Sequence, residues 1–308
     1  MKLDESAAGV FVIAVTPFTA TGALDLAGTA RLVEFYLAHG ATGLTILGIM
    51  GEAPSLTAAE ARAFVGAVLQ AVGGAVPVVV GVSAPGLAPM GELAASAMDQ
   101  GAAGVMVAPP PTLRTDAQIT GYFTLVAETL GPGTPWVLQD YPQSNGVQMA
   151  PATIRRILES CPTCVMLKHE DWPGLAKISA LREQEAQGAR RVSILCGNGG
   201  LFLPEEMGRG ADGAMTGFAF PEMMAGVVAA ARAGDRARMH DLFDAYLPLC
   251  RYEQQPGIGL AVRKHNLARR GALASPTLRR PAPALSPADI AELAWLLARQ
   301  EKRLAALG

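Results

Sequence analysis

The sequence predicts an α/β fold, a (β/α)8 barrel (TIM barrel) with extra helices at its C-terminal end. Eight apolar runs recur along the 308 residues, and helix-like segments separate them. No glycine-rich dinucleotide-binding loop accompanies these runs. Eight β/α units could also lie open as a doubly wound sheet, but the count of eight and the missing loop favour a closed barrel.

The predicted strands are apolar throughout, without alternation of apolar and polar residues. This is typical of a parallel sheet covered by helices. In chain order they span residues 11–18, 43–48, 76–82, 104–110, 135–141, 164–170, 193–198 and 213–218. Their alternation with helical segments indicates βαβ units.

The predicted helices have readable ends. The first spans residues 25–39 and stops before Gly40, and the second spans residues 57–72, where Thr57 and Glu60 form a capping box. After the eighth strand, helical periodicity continues over residues 221–233, 235–252, 257–270 and 286–306, with a proline-rich connector at 275–287. We therefore predict a barrel over residues 1–225 and a helical extension over residues 226–308, packed together as one structural domain.

Composition and charge exclude several classes of protein. Half of the residues are hydrophobic and 17% are charged, which indicates a packed core. The net charge is −2 and the basic residues are scattered, so nucleic acid is not an expected partner. No charge-free run approaches the roughly 18 residues of a membrane span, and no signal segment is recognisable. We expect a cytoplasmic protein that does not contact a membrane.

The four cysteines, Cys161, Cys164, Cys196 and Cys250, are expected to be reduced and structural. Cys161 and Cys164 form a C-x-x-C pair, but no second pair stands at the spacing of a zinc site. Neither a His-x-His pair nor an acidic cluster lies at the strand ends. No metal is expected.

Barrel enzymes carry their active sites at the C-terminal ends of the strands, where Lys168 ends the apolar run of strand 6. A buried ammonium is costly unless paired, and burial lowers the pKa of a lysine, which populates the neutral amine that attacks carbonyl groups. The pattern fits equally a strand-end lysine that reaches solvent or pairs with a carboxylate.

Other polar residues stand at strand ends as well. Tyr141 follows Gln139 with a period of two, so both should point into the barrel if either does, and a phenol there could move protons. An aromatic core residue is the alternative. The segment from Gly48 through Ile49 and Met50 to Gly51, followed by Glu52, could bring backbone amides close to a ligand carboxylate, although glycines also simply make turns.

Together these residues resemble the dihydrodipicolinate synthase/N-acetylneuraminate lyase superfamily over nearly the whole chain. The order and strand placement of the motifs carry the resemblance. They are Thr16-Pro17-Phe18, Gly48-x-x-Gly51-Glu52 with Leu56-Thr57 and Glu60, Pro109-Pro110, Tyr141, Lys168 and Gly210-Ala211-Asp212-Gly213.

The resemblance implies a lyase that binds a small-molecule 2-keto acid, pyruvate or a relative, as a Schiff base on Lys168, with Tyr141 as the proton relay. It implies no cofactor and a homo-oligomer, either a tetramer or a dimer. The expected substrate-binding set comprises the loop that holds the carboxylate and its neighbours at the strand ends. These residues are Gly48, Ile49, Met50, Gly51, Glu52, Thr16, Met215 and Thr216.

The chain also departs from the synthases of this family. Ile49 and Met50 stand where two threonines are typical, Thr112 stands near the place of a tyrosine that crosses a subunit contact, and residues 142–146 lack the arginine that holds the carboxylate of the aldehyde substrate. Loss of that charge-assisted contact argues against aspartate semialdehyde as the substrate, and a genuine 4-hydroxy-tetrahydrodipicolinate synthase stays open as an alternative.

Several alternatives stay open. Residues 247–259 resemble the tail of sugar-acid members, which suggests a 2-keto-3-deoxy sugar-acid dehydratase or aldolase. Glu170 could reach the barrel mouth as an acid/base group, whereas His169 should point outward. A pyridoxal-phosphate enzyme with a phosphate site at residues 197–200, and a non-catalytic keto-acid binder, are the remaining classes.

Overall fold

The computed structural model describes residues 1–172 and 174–308, and a closed sheet of eight parallel strands lies at its centre. The strands pair in sequence order and β8 closes the ring on β1. They are β1 Gly9–Ile13, β2 Gly43–Ile46, β3 Val78–Gly81, β4 Gly104–Val107, β5 Trp136–Asp140, β6 Cys164–His169, β7 Ser193–Cys196 and β8 Gly213–Ala214. The predicted barrel is confirmed.

The strands are shorter than predicted at their C-terminal ends. β8 pairs only over Gly213 and Ala214, whereas the apolar run continues to residue 218. Of the remaining residues, Thr216 and Gly217 line the mouth of the barrel, which is where a barrel carries its site, and Met215 and Phe218 are buried in the core.

Helices cover the outside of the barrel. They are α1 Thr29–Ala38, α2 Ala58–Val72, α3 Leu87–Asp99, α4 Asp116–Leu130, α5 Pro142–Asn145, α6 Pro151–Ser160, α7 Leu175–Ala186, α8 Leu203–Gly208, α9 Pro221–Arg232, α10 Arg236–Glu253, α11 Gly259–Arg269 and α12 Pro287–Ala305. The capping box of α2 is confirmed at Thr57 and Glu60. α1 begins four residues later than predicted because the Asp25 carboxylate accepts from the Gly28 amide at 2.9 Å, which makes a turn before the helix.

Two hydrophobic clusters fill the fold. The inner one occupies the barrel interior and includes Phe11, Ile13, Val79, Met106, Val137, Met166, Leu195 and Met215. The outer one lies between the strands and the helices. Because side chains alternate across a strand, Lys168 shares the inward face with Met166, and Gln139 shares it with Val137.

The C-terminal helices pack on the barrel. α9 contacts β1 and β8, and α10 packs against α9 and α12. The predicted boundary at residue 225 lies inside α9. The end of α10 and the middle of α11 reach the barrel mouth, where the Arg263 guanidinium donates to the Gly217 carbonyl. The extension therefore contributes side chains to the region around the strand ends.

The cysteines are free and buried, as predicted. Burial raises the pKa of the Cys164 and Cys250 thiols, so they stay protonated. In the part of the chain that the structure describes, no helix is both long and apolar enough to cross a membrane.

Glu206 on α8 makes stability depend on pH. Burial is the main cause that raises the pKa of its carboxyl to about 8, the charges of Glu205 and Glu170 add to this, and a hydrogen bond with Cys196 opposes it. A carboxyl whose pKa is raised by folding stabilises the fold fully below its unfolded pKa, and this contribution is lost as the pH rises through the folded value. The contribution of Glu206 to the free energy of unfolding should therefore decrease as the pH rises from the ordinary pKa of 4.5 to about 8.

Glu206→Gln should flatten this dependence, because the amide is uncharged at every pH. Denaturant unfolding across the same pH range measures the effect. Glu128→Gln, the same change at an exposed position on α4, is the matched control and should leave the slope unchanged. Equal slopes in the unsubstituted protein and in Glu206→Gln would contradict the argument.

Candidate active site

A cavity of about 60 Å³ lies at the C-terminal ends of the strands. Its lining brings together charged and polar side chains from several strand ends and from the C-terminal helices. The lining residues are Ile13, Ile49, Met50, Gln139, Tyr141, Lys168, Glu170, Asn198, Gly199, Thr216, Gly217, Gln254 and Arg263. A larger groove, of about 790 Å³, lies between residues 20–22 and the connector at 276–285. We assign the chemistry to the smaller cavity because it holds a buried lysine, a carboxylate and a phenol together.

Lys168 and Glu170 form the centre of the cavity. Lys168 lies on β6, opposite Gln139 of β5 and Leu195 of β7 in the sheet register. Its Nζ lies 3.0 Å from Glu170 Oε2, and the two residues are 4% and 6% exposed. The Gln139 amide donates to the same carboxylate oxygen at 2.7 Å.

The backbone of Glu170 is held from both sides. Its amide donates to the Asp140 carbonyl at 2.8 Å, and its carbonyl accepts from the Asn198 side chain at 2.6 Å. A buried ion pair gives little net stability, since both charges lose their hydration. A role in chemistry therefore explains the Lys168–Glu170 pair better than a role in stability. The carboxylate can take a proton from the ammonium and leave a neutral amine.

Tyr141 follows β5 and lines the same cavity. Burial first, and then the negative charge of Glu170, raise the pKa of its phenol, while the charge of Arg263 opposes them. The hydroxyl thus stays protonated at neutral pH and can donate a proton or a hydrogen bond. The predicted inward direction of Gln139 and Tyr141 agrees with their place in the lining.

The loop after β2 makes a tight turn over Ile49–Gly51, and a second one follows at Ala53–Ser55. Ile49 and Met50 line the cavity, whereas Gly48 and Gly51 do not. Leu47 and Glu52, on either side of the turn, have φ values of 55° and 54° in the left-handed region. Non-glycine residues rarely adopt this conformation, and it clusters at functional sites.

Two predicted substrate-binding residues hold this loop instead of lining the cavity. Thr16 donates its hydroxyl to the Gly51 carbonyl at 2.6 Å. The Glu52 carboxylate pairs with Lys264 of α11 and accepts from the Arg279 amide at 2.9 Å. Contact of Thr16 or Glu52 with a substrate stays a prediction; the observed contacts make them supports of the turn.

The two residues predicted after strand 8 are placed differently. Thr216 lines the cavity, and its hydroxyl oxygen accepts from the Gly199 amide at 2.8 Å. Met215 belongs to the inner core of the barrel. His169 points away from the cavity, as expected, with its Nε2 3.1 Å from the Gly174 carbonyl oxygen.

Sequence reasoning missed Gln254 and Arg263, which come from the C-terminal extension. A signal exists in Gly199 and Gly217, which follow strands 7 and 8. A Cβ atom at Gly199 would overlap the Gln254 side chain, and one at Gly217 would overlap the Arg263 guanidinium. The two glycines are therefore needed for the approach of the helices to the cavity.

No metal centre is found at the site. Among residues 1–172 and 174–308, no group of three or more His, Cys, Asp or Glu side chains could hold a metal ion. The charged lining consists of one carboxylate, one ammonium and one guanidinium, and only the oxygen of the carboxylate is a typical ligand.

The family model for the dihydrodipicolinate synthetase family matches residues 6–300. The chain belongs to this family. The chain is therefore an enzyme of a family of lyases, synthases and dehydratases, in agreement with the resemblance. Enzymes of the dihydrodipicolinate synthetase family use a lysine Schiff base and no further cofactor, which argues against the pyridoxal-phosphate alternative.

Similar proteins in this family carry different activities in their names. L-2-keto-3-deoxyarabonate dehydratase of Azospirillum brasilense is 31% identical over 290 residues, which cover 92% of each chain. The 4-hydroxy-tetrahydrodipicolinate synthase of Kineococcus radiotolerans is 31% identical over 289 residues, 92% of this chain and 90% of the relative. The crystal structure of dihydrodipicolinate synthase from Rhodopseudomonas palustris has a TM-score of 0.95 at 53% identity, covering 97% of this chain and 99% of that chain.

Proposed function

We propose that the chain is a lyase that forms a Schiff base between Lys168 and C2 of pyruvate or a related 2-keto acid. The observation that carries the proposal is the buried Lys168 amine in a cavity at the strand ends, 3.0 Å from the Glu170 carboxylate and beside the Tyr141 phenol. These three groups supply the nucleophile, a proton acceptor and a proton donor that imine formation needs.

The reaction begins when Glu170 takes a proton from the Lys168 ammonium. The neutral amine adds to C2, and the carbonyl oxygen becomes the hydroxyl of a carbinolamine. Tyr141 donates a proton to this hydroxyl, which leaves as water, and the nitrogen lone pair forms the protonated imine. The imine then accepts the electrons of a C3 bond and an enamine results. Either the Tyr141 phenolate takes a proton from C3, or it takes the proton of the C4 hydroxyl while the C3–C4 bond breaks and the fragment leaves as an aldehyde.

The C1 carboxylate is placed at the turn after β2. Ile49 and Met50 line the cavity on this side, and β2 lies across the eight-stranded ring from β6. The first amides of a helical turn have no carbonyl partner within the turn. They are therefore suitable donors to a carboxylate whose adjacent C2 faces Lys168.

A 2-keto-3-deoxy sugar acid is the second candidate substrate, with loss of water or C–C cleavage as the outcome. The supporting observation is that α5, Pro142–Asn145, follows Tyr141 without a cation, so that nothing there binds the second carboxylate of aspartate semialdehyde. The similarity to the dehydratase of A. brasilense agrees with this candidate. In such a substrate the enamine expels the C4 hydroxyl, which takes a proton from the Tyr141 phenol and leaves as water.

Two further proposals rest on family membership and on composition rather than on the cavity. We propose that the chain works as a homo-oligomer, a dimer or a tetramer, and that it does so in the cytoplasm. Its partner is a small molecule, the 2-keto acid.

Reduction with borohydride in the presence of pyruvate tests the proposed function. The hydride traps the imine as a stable amine, and peptide mass mapping locates it. We expect the adduct on Lys168 alone. Lys177 and Lys264 serve as internal controls, since both are buried and paired but lie outside the cavity lining.

An adduct on Lys177 or Lys264, or no adduct at all, would contradict the proposal. An adduct on Lys168 without turnover of any acid in a panel of 2-keto acids and aldehydes would instead identify a non-catalytic binder. Comparison of 2-keto-3-deoxy sugar acids with pyruvate plus aldehydes separates the dehydratase from the aldolase and the synthase.

A further inference from the structure

The cavity contains two buried hydrogen-bond donors that the chain leaves unused. Within residues 1–172 and 174–308, Gln254 Nε2 and Arg263 Nη1 are buried side-chain atoms without a hydrogen-bond partner, and both residues line the cavity. Burying a polar group without a partner costs free energy, and most buried polar groups have one. Such atoms beside a reactive amine indicate a missing ligand atom.

Arg263 is held so that one edge of its guanidinium stays free. The residue is 2% exposed. Its Nε donates to Glu253 at 2.6 Å and its Nη2 donates to the Gly217 carbonyl. The side chain is thus fixed by two contacts, and Nη1 remains for a partner that the protein does not supply.

The end of α10 closely approaches the segment that follows β7, and this approach positions the Gln254 side chain. It directly follows α10 and its amide lies against Gly199, a position with a φ of 65°. The Gly199 amide is in turn bound to the Thr216 hydroxyl. The Gln254 amide therefore lies at the β7 end of the cavity, next to the β8 end where Arg263 contacts Gly217.

The position of the two donors matches the far end of a substrate. The strand order puts β7 and β8 on one side of β6, while the turn after β2 lies across the ring from Lys168. A keto acid with its carboxylate at this turn and C2 at Lys168 has its remaining carbons free to extend toward β7 and β8.

We propose that Gln254 and Arg263 bind the hydroxylated tail, at C4 and C5, of a 2-keto-3-deoxy sugar acid. This inference rests on the proposed function and adds the residues that select the substrate. Pyruvate alone, with a single methyl group at C3, cannot satisfy these donors.

Charge balance favours hydroxyl groups over a second carboxylate. Glu253 already neutralises Arg263, and Glu170 neutralises Lys168. A distal carboxylate would therefore bring an excess negative charge into a buried site, which is costly without a partner. A hydroxyl oxygen accepts from both donors and adds no charge.

Gln254→Met is the main test, because it keeps the size of the side chain and removes its donor without breaking any bond that the structure shows. The dissociation constants of pyruvate and of a five-carbon 2-keto-3-deoxy sugar acid are measured by calorimetry on the full chain that also carries Lys168→Arg, so that the sugar acid is not turned over. We expect the sugar acid to bind about three- to tenfold more weakly relative to pyruvate, the effect of one hydrogen bond. Gln187→Met, the same change at an exposed position, is the control and should leave the ratio unchanged.

Arg263→Lys is the second variant, since it retains a positive charge for Glu253 but not the Nη1 donor. We expect the sugar acid to bind about 10- to 100-fold more weakly relative to pyruvate, because a hydrogen bond from a charged donor is stronger. An unchanged ratio in both variants would overturn the inference, and so would tighter binding of a 2-keto dicarboxylic acid than of the sugar acid.

Calorimetry does not require an imine, so a missing borohydride adduct would overturn the proposed function while the tail contacts would still be measured.

Discussion

Lys168→Arg is expected to abolish turnover, with a loss on the order of 10⁴-fold or more in kcat. The guanidinium keeps a positive charge near Glu170, so the buried carboxylate is not left unpaired. The guanidinium of the variant stays protonated at every accessible pH and therefore does not attack a carbonyl carbon. Steady-state kinetics and borohydride trapping with pyruvate both measure this loss.

The fold of this variant should survive, which circular dichroism and thermal unfolding check. Lys168→Ala should lose activity to the same extent and also lose stability, because the Glu170 charge then has no cation beside it. Turnover of a genuine substrate by either variant, above a few per cent of the unsubstituted rate, would show that the chemistry does not pass through this amine.

Tyr141→Phe should lower kcat by about 10²- to 10³-fold, the usual contribution of a positioned acid or base. Only the hydroxyl is lost, so packing at the end of β5 should be unaffected. Lys168 retains its amine and Glu170, so the pyruvate imine should still form, but more slowly. Rapid quenching with borohydride at increasing times measures the rate of trapping separately from turnover.

The matched control for this change is Tyr122→Phe. Tyr122 lies on α4, away from the cavity, and burial raises the pKa of its phenol to about 12. Loss of that hydroxyl should leave kcat within about twofold, since the group contacts no reacting atom. Similar losses in the two variants would show that the effect of Tyr141 is structural and that another group moves the proton.

The strands and their inward faces were predictable because they depend on local patterns. The period of two along β5 and β6 places Gln139 and Lys168 on the inner face. The same pattern directs His169 outward and leaves Glu170 within reach of the amine. The lengths of the strands were less predictable, since the run that was assigned to strand 8 continues to residue 218, whereas β8 ends at Ala214 and the following residues belong to the barrel mouth and the core.

The loop after β2 shows the limit of such reasoning. Its glycines were identified, and contact of Glu52 with substrate stays a prediction, but the pairing of its carboxylate with Lys264, 212 residues away in the chain, was not predicted. No local pattern encodes this contact. The contact depends on how α11 packs over the strand ends. A buried carboxylate is costly without a cation, and the packing of α11 determines which cation lies beside it.

The amino-acid sequence was sufficient for the barrel, for Lys168 and Tyr141 at strand ends, and for the family, because periodicity and strand-end chemistry are properties of short segments. The identity of the cavity wall required the folded chain. Gln254 and Arg263 belong to helices whose contact with Gly199 and Gly217 comes from burial of apolar surface between the extension and the barrel. The hydrophobic effect is non-directional, so it does not specify which side chains of the extension come to lie near Lys168. These residues can be read only from the packed structure.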